Sequence, residues 1–263
     1  MPTLGVVIRF KDSAGTLPAV LAALATQSRP PDLIVGVDTG SRDGSSGLMR
    51  AAGAQVVAWT DHYSHPRSLN HGIAACATDL VLALSSHTVP DGATVLADMV
   101  AALADPAVVA VSHRPPACAV YPERIAWTDV VRLGLTWDSF YSNSSGMFRR
   151  ADWQVTSFAP DTPIAEDYDW VLGRLRAGGV ALSWDFPRRY LRGTPRDDRA
   201  YEMAKALTGI ARRHGLRLRR GWGEEVGASL RAAWWLAKTL GRDEEAQAVA
   251  RSQRQRLWGR LRG

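Results

Sequence analysis

The sequence predicts an α/β fold in which a mainly parallel sheet is flanked by helices and followed by a helical C-terminal extension. Short runs rich in Val, Ile and Leu recur through the first 112 residues, and Ala- and Leu-rich helical patterns separate them. This alternation indicates strands joined by helical crossovers, the connection that parallel strands require. The chain has 263 residues, of which 46% are hydrophobic and 22% charged, so it can bury a large core.

Each expected strand is a short apolar run without charge alternation, which is typical of a strand covered on both faces. The predicted strands are Leu4–Phe10, Leu33–Val37, Ala54–Trp59, Leu80–Leu84 and Ala107–Ser112. The predicted helices are 16–26, a short segment after Ser46, 70–77 and 91–104. Pro18 suits only the first turn of its helix, and Pro30-Pro31 ends that helix before the next strand.

The remaining sequence changes character twice. Residues 113–190 are irregular and rich in aromatic side chains, which predicts a second lobe at the sheet edge. Residues 191–263 are basic and helical in pattern. We therefore expect 1–112 and 113–190 to be two halves of one domain and 191–263 to be an extension.

Charge is distributed unevenly along the chain. Residues 1–187 hold 13 Lys+Arg against 18 Asp+Glu, a net charge of −5, whereas residues 188–263 hold 19 against 8, a net charge of +11. A basic segment of this kind meets an anionic membrane surface, a nucleic acid, or the acidic body itself. A predicted helix over 225–242 combines an apolar stripe with Trp235 among basic residues, a pattern typical of an interfacial helix on anionic lipid.

The expected location is the cytoplasm, with peripheral contact at the inner membrane face as a further interpretation of the basic segment. Two cysteines, Cys76 and Cys118, are too few for a disulfide framework. No apolar run is long enough to cross a bilayer, and Met1 to Phe10 lacks the order of a signal peptide. The basic residues form no recognisable nucleic-acid-reading motif, so a nucleic acid is not the expected partner.

Polar residues follow the first, second and fourth predicted strands. Asp12 comes shortly after the first strand, and Asp38 opens a turn of Gly and Ser residues after the second. Ligands of parallel sheets bind where the carboxyl ends of strands meet, and a carboxylate there can accept a hydrogen bond from a base or ribose. The chain has neither GxGxxG nor a P-loop sequence, which argues against dinucleotide and Walker-type sites.

Five segments, in order, resemble the successive blocks of family 2 glycosyltransferases. They are VVIRFKDSAGTLPAVLAAL (6–24), LIVGVDTGSRDGS (33–45), HPRSLNHGIAACATD (65–79), LVLALSSHTVPD (80–91) and AEDYDWVLGRL (165–175). The resemblance lies in block order and spacing and covers roughly residues 4–180. It implies the GT-A fold, with 1–112 as the nucleotide-sugar-binding half and 113–190 as the acceptor-side half, and transfer from a nucleotide-sugar donor, usually with inversion.

The resemblance also implies roles for individual residues. Asp38 would accept the N3–H of uracil or thymine, and Asp12 would lie beside the nucleotide. Arg9 stands where the family commonly has proline. Arg67 and Asn70 fall in the block that flanks the nucleotide and its phosphates.

Glu166 and Asp167 match the family's Glu-Asp pair, in which the aspartate usually serves as general base. Inversion needs such a carboxylate to take the acceptor's proton as its oxygen attacks the anomeric carbon. The carboxylate also favours the positive charge that develops on the sugar.

The sequence departs from the family after the fourth strand, where Asp-X-Asp usually binds a divalent ion. This chain has Ser85-Ser86-His87 instead. In one interpretation, His87 is a nitrogen ligand and Mn²⁺ or Mg²⁺ still binds. In the other, no metal binds and cations such as Arg67 or the tail arginines neutralise the diphosphate that Ser85 and Ser86 would contact.

The sequence thus predicts an inverting glycosyltransferase that uses a UDP- or dTDP-sugar. Its acceptor would be a hydroxyl on a glycan, a lipid-linked saccharide or a small product, with a peptide left open. The alternative is a non-catalytic nucleotide-sugar-binding scaffold, which the loss of Asp-X-Asp suggests and the retained Glu166-Asp167 pair opposes.

Overall fold

A computed structural model describes residues 1–113, 122–135, 140–191 and 200–216. The strands are β1 (Leu4–Phe10), β2 (Leu33–Asp38), β3 (Gln55–Ala58), β4 (Leu80–Ser85), β5 (Thr88–Pro90), β6 (Val108–His113), β7 (Arg124–Ile125), β8 (Ser145–Arg149), β9 (Val180–Trp184) and β10 (Arg188–Tyr190). The helices are α1 (Leu17–Ala25), α2 (Ser45–Ala51), α3 (His65–Ala75), α4 (Val95–Ala102), α5 (Trp127–Leu133), α6 (Arg150–Val155), α7 (Glu166–Arg176) and α8 (Ala200–His214).

Eight strands form one sheet in the order β3-β2-β1-β4-β8-β6-β9-β7. The first four in that order are parallel, and β8 inserts antiparallel between β4 and β6. β5 and β10 form a separate antiparallel pair. This arrangement confirms the predicted α/β class with a mainly parallel sheet, and it runs without interruption from the first half of the chain into the second.

Alternate residues of β1 pack against different layers of helices. Val6, Ile8 and Phe10 belong to a buried cluster that includes Leu17 and Leu24 of α1 and residues of α4. On the opposite face, a Cβ at Gly72 of α3 would lie 2.4 Å from Val37 and 2.7 Å from Val7, so only glycine lets the helix approach this closely. Both faces of the strand are therefore covered, as its continuous apolar run predicts.

The third helix begins earlier than the sequence pattern indicates. The prediction places it at 70–77, whereas the structure has α3 over His65–Ala75. Ser64 is the N-cap, with its hydroxyl accepting from the Arg67 backbone N–H at 3.4 Å, and Pro66 lies in the first turn. The earlier start brings the first turn of α3 toward the carboxyl end of β1.

The chain divides into a unit of Met1–Arg192 and a unit of Gly193–Gly263. The first contains the sheet, and the second contributes α8 to the described residues. The predicted interfacial helix over 225–242 lies outside them. Within the described residues, no helix has the length and apolarity needed to cross a membrane.

Candidate active site

The carboxyl ends of β1, β2 and β4 lie side by side. Arg9 is paired in register with Ser85 of β4 and with Val37 of β2, and Phe10 is paired with Asp38. Three residues singled out from sequence, Arg9, Asp38 and Ser85, therefore meet at one edge of the sheet.

The loops after these strands are joined by hydroxyl and carboxylate hydrogen bonds. The Ser13 backbone N–H donates to Ser45 Oγ at 2.8 Å, and the Ser13 and Ser86 hydroxyls are 3.0 Å apart. Asp12, at a φ of 45°, accepts from the Arg42 backbone N–H at 2.7 Å. Asp12 and Ser86 thus help to hold the loops together at the edge.

The Asp38 carboxylate is held by the turn that follows it. Its Oδ1 accepts from the backbone N–H groups of Gly40 (3.0 Å) and Ser41 (2.8 Å), and its Oδ2 accepts from the Ser46 hydroxyl. Burial alone would raise the pKa of Asp38, but these hydrogen bonds outweigh it and hold the pKa below its usual value. The group is therefore an ionised acceptor with a fixed orientation.

Glu166 and Asp167 begin α7 directly after Ala165, a buried non-glycine residue with a φ of 62°. Left-handed backbone at alanine is strained and is found most often where function requires it. Asp167 Oδ2 accepts from the Asn143 backbone N–H and Oδ1 accepts from the Tyr168 backbone N–H, both at 2.8 Å. These bonds fix the Asp167 carboxylate at the positive end of the helix.

Burial affects both carboxyl groups of this pair. Glu166 is 5% exposed, and burial together with the neighbouring Asp167 charge raises its pKa to about 8. Burial raises the pKa of Asp167 above its usual value as well, and the backbone N–H groups of Asn143 and Tyr168 offset part of this rise. Because two adjacent negative charges are unfavourable and these N–H groups favour an ionised Asp167, the arrangement favours a proton on Glu166.

Arg9 links the sheet edge to this carboxylate pair. Its positive charge lowers the pKa values of Glu166 and Asp167, acting against their burial. The guanidinium also lies 3.4 Å from the His65 carbonyl oxygen and 5.7 Å from the centroid of the Tyr63 ring. Arg9 therefore places a cation beside the pair and helps to keep Asp167 ionised.

Comparison with protein families identifies the chain. The profile described as "Glycosyl transferase family 2" matches residues 5–153. The chain belongs to glycosyltransferase family 2. It is an enzyme with the GT-A fold, as the block order predicts. The family match covers the end of β1, the Asp38 turn, α3 and the Ser85-Ser86-His87 turn.

Solved structures share this fold at low sequence identity. The mannosyltransferase PcManGT from Pyrobaculum calidifontis, solved with GDP-Man and Mn²⁺, is 17% identical at a TM-score of 0.68, covering 99% of this chain and 86% of that one. Glucosyl-3-phosphoglycerate synthase from Mycobacterium tuberculosis, solved with Mn²⁺, UDP and glucosyl-3-phosphoglycerate, is 18% identical at a TM-score of 0.63, covering 84% and 82%. No curated protein sequence matches this chain.

The residues at the family's metal position do not suit Mn²⁺ or Mg²⁺. Ser86 Oγ is taken up by Ser13, and His87 Nε2 lies 2.7 Å from the Tyr190 hydroxyl with the two rings in edge contact. Among the described residues, no group of three His, Cys, Asp or Glu side chains is arranged to hold a metal ion. Since these ions prefer carboxylate oxygens, a turn of two serines and a tyrosine-bound histidine fits them poorly.

Two predicted nucleotide residues have other surroundings. Arg67 is exposed in the first turn of α3, and its guanidinium makes no hydrogen bond or ion pair with the described part of the chain. Asn70 Oδ1 accepts from the Trp153 indole N–H (2.8 Å) and the Phe158 backbone N–H (3.2 Å), and its Nδ2 donates to the Phe158 carbonyl (2.8 Å). Asn70 thus joins α3 to the segment around α6.

Asn70→Ala is expected to lower the free energy of unfolding by about 2–4 kcal/mol, because it removes three hydrogen bonds and leaves buried donors unpaired. Chemical denaturation followed by tryptophan fluorescence measures this. An Asn70→Ala protein as stable as wild type would contradict the structural role.

The turn around Asn143 and Ser144 connects the parts of the site. Asn143 holds Asp167, and the Ser144 carbonyl accepts from the Ser85 backbone N–H at 3.1 Å. Ser144 Oγ in turn accepts from Arg188 at 3.2 Å. From sequence, residues 144–150 resemble the family's acceptor-side segment and equally an ordinary turn into a helix, and only the antiparallel insertion of β8 brings this segment to the end of β4.

Proposed function

We propose that this glycosyltransferase moves a sugar from a UDP- or dTDP-sugar to a hydroxyl acceptor with inversion, and that Asp167 is the general base. The observation that carries the proposal is the Asp167 carboxylate, which two backbone N–H groups orient at the start of α7. Burial raises the pKa of Glu166 to about 8, which favours a proton on Glu166 and leaves Asp167 as the base.

The proposed step is a displacement at the anomeric carbon of the donor. The acceptor O–H gives its proton to Asp167 while its oxygen forms a bond to the anomeric carbon. The bond from that carbon to the diphosphate breaks, and its electron pair leaves on the diphosphate oxygen. Asp167 also stabilises the positive charge that develops on the sugar before the new bond is complete.

Asp38 supports the assignment of a pyrimidine donor. An ionised, rigidly oriented carboxylate at the end of β2 can accept the N3–H of uracil or thymine. The solved neighbours include one with GDP-Man and another with UDP, so the base preference needs a direct test.

Asp38→Asn is expected to weaken binding of the preferred pyrimidine diphosphate about tenfold or more, because a charged acceptor is lost. Calorimetric titration with UDP, dTDP, GDP and CDP measures this, with Asp43→Asn as the control. Asp43 is exposed and accepts from the Ala14 backbone N–H within the same loops. Equal affinities of wild type and Asp38→Asn for all four nucleotides would contradict the assignment.

The acceptor class is proposed as a saccharide, a lipid-linked saccharide or another small hydroxyl compound. The neighbour solved with glucosyl-3-phosphoglycerate shows that a small acceptor can occur on this fold. A cytoplasmic location and contact between the basic C-terminal segment and anionic lipid stay predictions, and sedimentation with phosphatidylserine vesicles tests the latter. A scaffold that binds donor without transferring sugar is the alternative, and incubation with donor and acceptor mixtures distinguishes the two by the release of nucleoside diphosphate.

A further inference from the structure

Arg188 is a half-buried cation with no carboxylate partner among the residues that the structure describes. Its Nη1 donates to Ser144 Oγ at 3.2 Å, and it forms no ion pair with any acidic residue of the described ranges. Burial lowers the pKa of this guanidinium, which shows that water solvates it incompletely. A charge removed from water without a counter-charge is costly, so such a group is typical of a site that binds an anion.

The position of Arg188 relates it to the family's metal position. β10 pairs with β5, the strand that follows the Ser85-Ser86-His87 turn, and Arg188 lies in register with Pro90. Ser144 accepts from Arg188 through its hydroxyl and from the Ser85 N–H through its carbonyl. Ser144 therefore links the guanidinium to the end of β4, where the Ser85-Ser86-His87 turn begins.

The surroundings of Arg188 are also those of an anion site. His113, at the end of β6, has its Nδ1 3.0 Å from the Phe186 carbonyl oxygen, and burial together with the Arg188 charge lowers its pKa. His113 is consequently neutral at pH 7, so it does not repel the guanidinium. Tyr190, two residues along β10, contacts His87.

Two other cations, Arg9 and Arg189, already have carboxylate partners. Arg9 acts on the Glu166-Asp167 pair, and the exposed Arg189 forms an ion pair with Asp91 at 2.8 Å. Within the described ranges Arg188 has no such partner, and its planar fork of N–H groups matches two oxygens of a phosphate.

We propose that Arg188 neutralises the donor's diphosphate at the end of β4, in place of a carboxylate-bound divalent ion. As the bond to the sugar breaks, the guanidinium stabilises the negative charge that gathers on the departing diphosphate. This inference rests on the proposed function, because it assigns a partner to that donor. One role explains two features: the Ser85-Ser86-His87 turn has no carboxylate, and the Arg188 guanidinium has no acidic partner within the described ranges.

Calorimetric titration tests the proposal with the tightest-binding nucleoside diphosphate and its nucleoside, each with Mn²⁺ and with EDTA. In wild type, we expect the diphosphate to bind more tightly than the nucleoside, with EDTA changing its Kd less than about twofold. Arg188→Gln should weaken diphosphate binding about 10- to 100-fold and leave nucleoside binding unchanged. Arg188→Lys keeps the positive charge without the fork of N–H groups, so it should weaken diphosphate binding less than Arg188→Gln does.

Arg189→Gln is the matched control and should bind as wild type does, and circular dichroism melting establishes that each variant is folded. Loss of diphosphate binding in EDTA with recovery in Mn²⁺, or unchanged diphosphate binding by Arg188→Gln, would overturn the inference while the proposed function stands. The inference would also be overturned if Arg188→Gln weakened the binding of 3-phosphoglycerate and left diphosphate binding unchanged, because Arg188 would then act on the acceptor. Failure of wild type to bind any nucleotide would overturn the proposed function as well.

Discussion

Asp167→Asn is expected to lower the rate of sugar transfer about 10²- to 10⁴-fold, the usual contribution of a general base, while donor affinity stays within a few-fold. The Asn143 and Tyr168 backbone N–H groups donate to different oxygens of Asp167, so the single amide oxygen can accept from only one of them, and circular dichroism melting checks that the variant is folded. The amide cannot take the acceptor's proton. The turnover number measured with saturating nucleotide-sugar tests this, with calorimetry for the donor Kd.

Asp169→Asn is the matched control, because it also removes a carboxylate from the first turn of α7. Asp169 is buried and accepts from Thr162 Oγ1 at 3.4 Å, among different neighbours from those of Asp167. It should keep a turnover number near that of wild type. Transfer by Asp167→Asn at an undiminished rate would assign the base to another group.

Strand ends were the part of the site that sequence could predict. Arg9, Asp38 and Ser85 follow recognisable buried strands, and parallel strands bring their carboxyl ends to one edge whatever the details of packing. The Glu166-Asp167 pair could be found because its block keeps its order relative to the others.

Long-range contacts explain what sequence could not provide. Asn70 was placed with the nucleotide from its block alone, but its partners Trp153 and Phe158 lie 83 and 88 residues further along the chain. Arg188 belongs to a short strand whose position depends on pairing with β5, and only the folded arrangement of the described residues shows that no acidic side chain among them pairs with it. Local patterns contain neither kind of information.

The proton on Glu166 leads to the second large expected effect. Because burial raises its pKa to about 8 in the folded protein, against roughly 4.3 in an unfolded chain, the folded state binds this proton more tightly. The resulting stabilisation is complete below the unfolded pKa, declines as the pH rises, and is lost once the pH passes the folded pKa. Glu166→Gln keeps the shape of the side chain but does not titrate, so its free energy of unfolding should not show this decline with pH.

We therefore expect the free energy of unfolding of Glu166→Gln, relative to wild type, to increase by on the order of 3 kcal/mol between pH 5.5 and pH 8.5. Urea denaturation at both pH values measures the difference, and other titrating groups cancel because the two proteins share them. Asp167→Asn should reduce the same pH dependence in part, because it removes the neighbouring charge that helps to raise the pKa of Glu166. Equal pH dependence in wild type and Glu166→Gln would mean that Glu166 is ionised when folded, which would also remove the reason for assigning the base to Asp167 rather than to its neighbour.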